Sequence, residues 1–194
     1  MGILAQDVPP FAQTLEFDVS FVGMGWMDLE VRTGVGSAKV EWASDICPTF
    51  KGLALSAIAI AAGSYVPCTI VAEHEPGETI VSAGLAYIHG RNVEKTPLVV
   101  VKITSPFDAV DLDFSVEPDV YVEAVRSLLV GLRDRMGLEA YYNTYHEEFP
   151  SKALAALEAA IHTPATPIPP PDMTGAITIW NGDRAEPDES KTDD

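Results

Sequence analysis

The sequence LEFDVSF at residues 15–21 decides the fold, because apolar and polar residues alternate strictly along it. Successive side chains of a β-strand point to opposite faces of a sheet, so this strand has one apolar and one polar face. MDLEVR at residues 27–32 and AKVEW at residues 38–42 alternate in the same way. Glycine-containing turns at residues 23–25 and 33–36 separate the three segments. We therefore predict an antiparallel three-stranded meander.

A helix and four more strands follow the meander. Residues 48–62 have apolar side chains at helical spacing, with Pro48 in the first turn and Gly63 as a natural stop. Alternating or valine-rich segments between turns then predict four strands. These strands are expected at residues 66–73, 79–89, 98–104 and 110–116.

Two further helices are predicted at residues 118–136 and 150–161, where apolar residues recur at helical spacing. Between them, Tyr141, Tyr142 and Tyr145 are expected to wrap a helix junction, with hydroxyls that reach solvent or backbone. The fold class is therefore α+β, with a mainly antiparallel sheet of about seven strands and the helices packed on one face. The expected order is three strands, one helix, four strands and two helices.

The composition changes after His162, which divides the chain in two. Residues 1–162 are expected to form a single α+β domain. Residues 163–171 contain five prolines, and the acids outnumber the bases by seven to two from Asp172 onward. We therefore predict that residues 163–194 are a proline-rich linker and an acidic, mostly disordered tail. The tail is either an inert solubiliser or a partner-binding arm around the apolar residues 177–180.

The charge balance limits the classes of partner. The 194 residues contain 29 acidic and 12 basic side chains, a net charge of −17, which disfavours binding to nucleic acids or anionic membranes. The uncharged residues 52–72 are long enough to cross a bilayer, but Gly63 and Pro67 favour a helix followed by a buried strand. The first residues have no signal-peptide pattern, so a cytoplasmic location is expected. Cys47 and Cys68 are not at metal-ligand spacing and are expected to be reduced.

Several short motifs resemble a family of small uncharacterised bacterial proteins that are common in actinobacteria. The similar region covers residues 14–162, and some members of the family resemble immunity and antitoxin-like proteins. The motifs are Gly25-Trp26, the strand-to-helix junction with Ser44, Glu73-His74-Glu75-Pro76-Gly77-Glu78, and the spaced series Tyr121, Leu132, Gly137, Tyr141, Phe149-Pro150, Ala153-Leu154 and Leu157-Glu158. The resemblance implies no activity and no functional residue.

Residues that could perform chemistry are few. His74 between Glu73 and Glu75 has the composition of a general base or a metal ligand, but its neighbours face the opposite way on a strand. Asp111 and Asp113 share a strand face and could bind a hard cation, or could be a solvated surface. No nucleophile elbow or phosphate-binding loop is present. We therefore predict no enzyme activity, no cofactor and no metal, with a small-ligand or metal-binding enzyme at the 73–78 turn as an alternative.

The polar faces of the predicted strands are mainly acidic. If the strands share one sheet, one face has two bases, Arg32 and Lys39, and seven acids. Those acids are Glu16, Asp18, Asp28, Glu30, Glu41, Asp111 and Asp113. Such a face either keeps the protein soluble or attracts a basic partner.

Trp26 lies on the polar side of its strand, where it is an exposed interface anchor, a cover for a strand edge or a residue that packs under the tail. The leading hypothesis is a non-enzymatic, immunity- or antitoxin-like protein that binds a basic protein partner through the acidic face and Trp26. An acidic mimic of nucleic acid is a further alternative.

Overall fold

Seven antiparallel strands form two sheets in the computed structural model, which describes residues 9–23, 26–43, 48–74, 77–87, 97–105 and 110–163. The first sheet has the strand order β1-β2-β3 and the second β4-β5-β6-β7. The strands of the first sheet are β1 (Leu15–Gly23), β2 (Trp26–Thr33) and β3 (Gly36–Ala43). Those of the second sheet are β4 (Cys68–His74), β5 (Gly77–Tyr87), β6 (Pro97–Ser105) and β7 (Val110–Val116).

The first sheet is the predicted meander, and its second turn is closed by a threonine side chain. The Thr33 hydroxyl donates to the Gly36 carbonyl oxygen over 2.8 Å and accepts from the Gly36 amide over 3.0 Å. The Val35 amide also donates to the Thr33 hydroxyl, over 3.2 Å. These bonds hold the β2–β3 hairpin in a single register, with Thr33 opposite Gly36.

The described residues also form four helices. α1 (Thr49–Ala61) lies between β3 and β4, and α2 (Pro118–Met136), α3 (Leu138–Tyr145) and α4 (Ser151–His162) follow β7. The predicted helices at residues 48–62, 118–136 and 150–161 are confirmed as α1, α2 and α4. Pro118 occupies the first turn of α2, where its missing amide hydrogen costs nothing. Gly137, with φ of 74°, ends α2 and begins α3.

The α+β class, the seven strands and their antiparallel pairing are confirmed, but the order of elements differs in two respects. The strands divide into two sheets instead of one, and the aromatic segment before Phe149 is an additional helix, α3. β3 contacts both edge strands of the second sheet, β4 and β7, so it runs across that sheet. At this crossing, a Cβ added to Gly36 would lie 3.0 Å from Leu112 Cδ1.

One core joins both sheets and the helices. α1 contacts β4 and β5, α2 contacts β1 and β6, and the residues buried between them form one continuous apolar cluster. The Tyr121 hydroxyl of α2 donates to Ser56 Oγ of α1 over 2.8 Å, because the Ser56 proton is used on the Leu53 carbonyl. Burial raises the pKa of Tyr121 to about 12, so it stays a neutral donor.

The residues before β1 cover the outer edge of β7. The Ser115 amide donates to the Pro10 carbonyl and the Ala12 amide to the Ser115 carbonyl, each over 2.8 Å. This short parallel bridge satisfies backbone groups at that edge. In the described parts of the chain, no helix is both long and apolar enough to cross a membrane. The predicted disorder of residues 163–194 falls almost entirely outside the described residues.

Two glycines of α2 provide a matched test of this backbone. An added Cβ at Gly131 meets no described atom within 4 Å, so Gly131→Ala should raise the free energy of unfolding by about 0.5–1 kcal/mol. Gly137→Ala should lower it by about 1–3 kcal/mol, because alanine is strained at positive φ. Urea unfolding of the two variants measures both effects. An equal effect of the two substitutions would contradict the helix boundary at Gly137.

Candidate functional site

The outer face of the first sheet consists of three rows of side chains, and each row has one residue from each strand. The register of the two strand pairs determines these rows. They are Glu16-Arg32-Ser37, Asp18-Glu30-Lys39 and Ser20-Asp28-Glu41. We call these nine residues the charged face. The alternation predicted from the sequence for the first three strands is therefore confirmed.

Arg32 lies among three carboxylates of the charged face. Its Nη2 donates to Asp18 Oδ2 and its Nη1 to Glu30 Oε2, each over 3.2 Å. Its Nε is 3.9 Å from Glu16 Oε2. A fourth contact comes from α2, where Arg135 Nη1 is 4.0 Å from Asp18 Oδ1. Because these side chains are half to three-quarters exposed, each pair contributes little to stability, but together they restrict where the carboxylates can lie.

Lys39 joins the other two carboxylates of the charged face. Its Nζ is 2.7 Å from Glu41 Oε1 and 2.9 Å from Asp28 Oδ2. The side chain of Asp28 is only 12% exposed, so Lys39 is its charge partner at a largely desolvated position. Hydrogen bonds to Glu41 and then to Asp28 raise the pKa of Lys39 above its ordinary value.

The charged face is less acidic than the sequence predicted. It has five acids and two bases, a net charge of −3, because Asp111 and Asp113 lie on β7 of the second sheet. There Asp113 is directly opposite Lys102 on β6. The prediction that seven acids share one sheet face is therefore wrong, since it assumed a single sheet.

Trp26 lies on β2 at the end of the charged face. It has the same strand parity as Asp28, while Met27 between them is fully buried. Trp26 itself is half-buried, so it is neither a fully exposed anchor nor part of the core. Its indole therefore forms an amphipathic border to the acidic surface.

The alternative site at the 73–78 turn has little support in the described residues. Glu73 is exposed on β4 and lies opposite Glu78 on β5. The side chain of His74 and residues 75–76 lie outside the described residues. Within the described ranges, no three His, Cys, Asp or Glu residues are grouped so that they could bind a metal ion. Cys68 is a half-buried free thiol, and Cys47 lies outside the described residues.

A groove of about 700 Å³ runs along β1 between the first sheet and α2. Its apolar lining includes the buried Leu15 and Leu128 and the half-buried Phe17 and Val120. Charged residues from both sides also line it. These are Glu16, Asp18 and Arg32 of the charged face and Asp119 and Glu123 of α2. The charged face and this groove, which we call the β1 groove, are therefore continuous.

An aromatic cluster under α3 was not predicted as a site. Tyr141 is fully buried, and its ring centroid is 4.6 Å from that of Tyr145 and 5.2 Å from that of Phe149. Tyr142 is 53% exposed. Among the described residues, neither the Tyr141 hydroxyl nor Glu147 Oε2 has a hydrogen-bond partner. The prediction that the Tyr141 hydroxyl reaches solvent or backbone is therefore wrong.

Burial changes the acid–base behaviour of this cluster. Desolvation raises the pKa of Glu147 to about 6, although the nearby Lys51 opposes the shift. Desolvation first, and the charge of Glu147 second, raise the pKa of Tyr141, so its phenol stays neutral. The only sequence signal for the cluster was the spacing of Tyr141 and Tyr145, which are four residues apart and therefore share a helix face. Nothing in the local sequence marked Glu147.

Comparison of the chain with protein-family models, with curated proteins and with solved structures finds no match. The resemblance of residues 14–162 to small bacterial proteins therefore stays a prediction.

Removal of Lys39 tests whether Asp28 depends on it. Lys39→Ala should lower the free energy of unfolding by about 1 kcal/mol, because a largely buried carboxylate loses its charge partner. Lys102→Ala on the exposed face of the second sheet should cost less than about 0.5 kcal/mol. Chemical denaturation at low salt measures both values. Equal losses would show that the contact of Lys39 with Asp28 does not stabilise the folded protein.

Glu147 should make stability depend on pH. Its pKa is about 6 in the folded protein and 4.5 ordinarily, so the folded state binds the proton more tightly. The contribution of the protonated Glu147 to the free energy of unfolding therefore decreases as the pH rises from 4.5 to 6, and it is absent at higher pH. Because Glu147 is partly exposed, Glu147→Gln should stabilise by about 1 kcal/mol near pH 7.5, with a rise in Tm of about 2–4 °C.

The control for this substitution is Glu148→Gln at the next position, where the side chain is exposed. We expect no change in Tm for Glu148→Gln, either near pH 7.5 or below pH 4.5. We also expect the gain from Glu147→Gln to vanish below pH 4.5, where the carboxyl is protonated in both states. A gain of the same size at both pH values would mean that burial of the Glu147 charge is not its cause.

Proposed function

We propose that the protein is a non-enzymatic binding module that engages a basic protein partner through the charged face. The observation that supports this most is the register of the first sheet, which places five carboxylates and two bases in fixed rows on the outer face of that sheet. The net charge of −3 would accelerate encounter with a basic surface at low salt. We propose a cytoplasmic location for this function.

The ion pairs of the charged face suit this role. Arg32 and Lys39 together contact all five carboxylates, within 4.0 Å. A surface whose side chains are already restricted loses less conformational entropy when a partner binds. The two cations also add selectivity, because a partner must place acidic or polar groups opposite them and basic groups opposite the acids.

The charged face supports a protein partner better than mimicry of nucleic acid. A duplex presents only negative charges along its backbone, whereas Arg32 and Lys39 lie inside the acidic rows. An enzyme at the 73–78 turn stays an alternative proposal, because the side chain of His74 and residues 75–76 lie outside the described residues.

We also propose, on the resemblance alone, that the role is immunity- or antitoxin-like. The partner would then be a basic toxin. A toxin gene beside the gene for this protein would support the proposal, and a partner without toxic activity would refute it.

The charged face can be tested with neutral variants of similar shape. The partner is first identified by co-purification from the native cells. The triple variant Asp18→Asn/Glu30→Gln/Glu41→Gln then removes the net charge of the face. We expect its association rate with the partner to fall about tenfold at about 50 mM NaCl and to approach that of the wild type at about 300 mM.

The matched control removes three acids elsewhere: Asp111→Asn, Asp113→Asn and Glu139→Gln. All three residues are exposed, and none belongs to the charged face. This variant has the same overall charge as the first and should associate within about twofold of the wild type. Equal losses in the two triple variants, or no co-purified partner, would contradict the proposal.

A further inference from the structure

A groove of about 330 Å³ lies where the last turns of α1 and α4 meet the first two turns of α2. The three helices contact one another, and the groove is an open depression on their outer surface. A ligand can therefore enter it without separating the helices. We call it the helix-end groove. Its volume is near the lower limit of about 300 Å³ for ligand sites, so it suits a single side chain of a partner.

The helix-end groove has an apolar floor. Ile60 and Val122 are buried beneath it, and Ala160 is half-buried at its side. Ile161 also lines the groove and is 38% exposed, so part of its side chain still contacts water. A hydrocarbon chain in the groove would remove this apolar surface from water, which is favourable.

The rim of the helix-end groove is acidic. Asp119 and Glu123 line it, and its described lining includes no lysine or arginine. Glu123 accepts hydrogen bonds from Arg126 Nε over 2.8 Å and from Arg126 Nη2 over 2.7 Å, so its charge is largely compensated. Asp119 is exposed and has no hydrogen bond or ion pair to another described residue. Its carboxylate is therefore available to a cationic group.

The ends of three helices add partial charges to the groove. The last turns of α1 and α4 lie at the negative ends of their helix dipoles. The positive end of α2 also lies here, but Asp119 and Glu123 occupy its first two turns. The balance of these charges favours a cation over a phosphate or a carboxylate.

An arginine side chain has both features that the helix-end groove selects. Its methylene groups can cover the exposed part of Ile161 while its charged head stays at the rim. The guanidinium group donates two parallel hydrogen bonds to one carboxylate and is less strongly hydrated than an ammonium group. Arginine therefore fits Asp119 beside an apolar floor better than lysine does.

We propose that the helix-end groove binds one arginine side chain of the basic partner, with its guanidinium group on Asp119 and its methylene chain against Ile161. Asp119 and Glu123 also line the β1 groove, which links this position to the charged face. The proposal rests on the proposed function for the basic nature of the partner. The groove would supply a short-range anchor beside a surface that attracts the partner over a longer range.

Titration of the full chain with n-butylguanidinium tests the site without the partner. The methyl resonances of Ile161 and Val122 are followed by two-dimensional NMR at about 20 mM NaCl. Their shifts should saturate with a Kd on the order of 10 mM, as expected for so small a ligand. Asp119→Asn should weaken binding about fivefold, because the ion pair is lost. The control Glu139→Gln removes an acid from the first turn of α3, outside the groove, and should leave the Kd unchanged.

Two further ligands separate the charge of the probe from its hydrocarbon chain. N-butylurea has the same chain without the charge, and methylguanidinium has the charge without the chain. Each should bind about fivefold more weakly than n-butylguanidinium. Equal affinity for either ligand, no saturable shift at Ile161 and Val122, or an unchanged Kd in Asp119→Asn would overturn the proposal.

Binding kinetics with the co-purified partner distinguish this proposal from the proposed function. Asp119→Asn should raise the dissociation rate about fivefold and change the association rate less than about twofold, because the anchor acts at short range. The triple variant of the charged face should instead slow association and leave the Kd of n-butylguanidinium unchanged. An unchanged dissociation rate in Asp119→Asn would overturn the arginine anchor alone. An unchanged association rate in the triple variant would contradict only the role of the charged face.

Discussion

Leu29 lies in one row with Val19 and Val40 across the first sheet, and all three side chains are buried in the core. The next row has Asp18, Glu30 and Lys39 on the opposite face. A shift of one residue in either strand pair would send apolar side chains into water and charges into the core. Burial of Leu29 and its neighbours therefore fixes both faces at once, and the Thr33 bonds at the β2–β3 turn favour the same register.

The core and the charged face are consequently two results of one pattern. Apolar positions of β1 to β3 bury against α2 and the second sheet, so the polar positions must face outward as a regular array. Arg32 and Lys39 reduce repulsion within this array without cancelling its negative charge. A binding surface that is built on paired strands is more rigid than one on a loop, which favours recognition by charge pattern.

The local pattern was sufficient to predict the strands, three of the helices and the outward acids of the first sheet. It could not divide the strands between two sheets, because the crossing of β3 over β4 and β7 depends on contacts between distant parts of the chain. α3 was missed since it is short and rich in weak helix formers, and burial of Tyr141 and Tyr145 stabilises it instead. Glu147 likewise gained significance only through its neighbours in the fold, Tyr141 and Lys51.

Nuclear Overhauser contacts between the strands of the first sheet measure the register directly in solution. We expect Leu29 to contact Val19 and Val40, and Glu30 to lie opposite Asp18 and Lys39. Contacts of Leu29 with Asp18 or Lys39 as its direct cross-strand partners would show a register shifted by one residue. With that register the nine residues would not share one face, which would contradict the binding surface proposed on it.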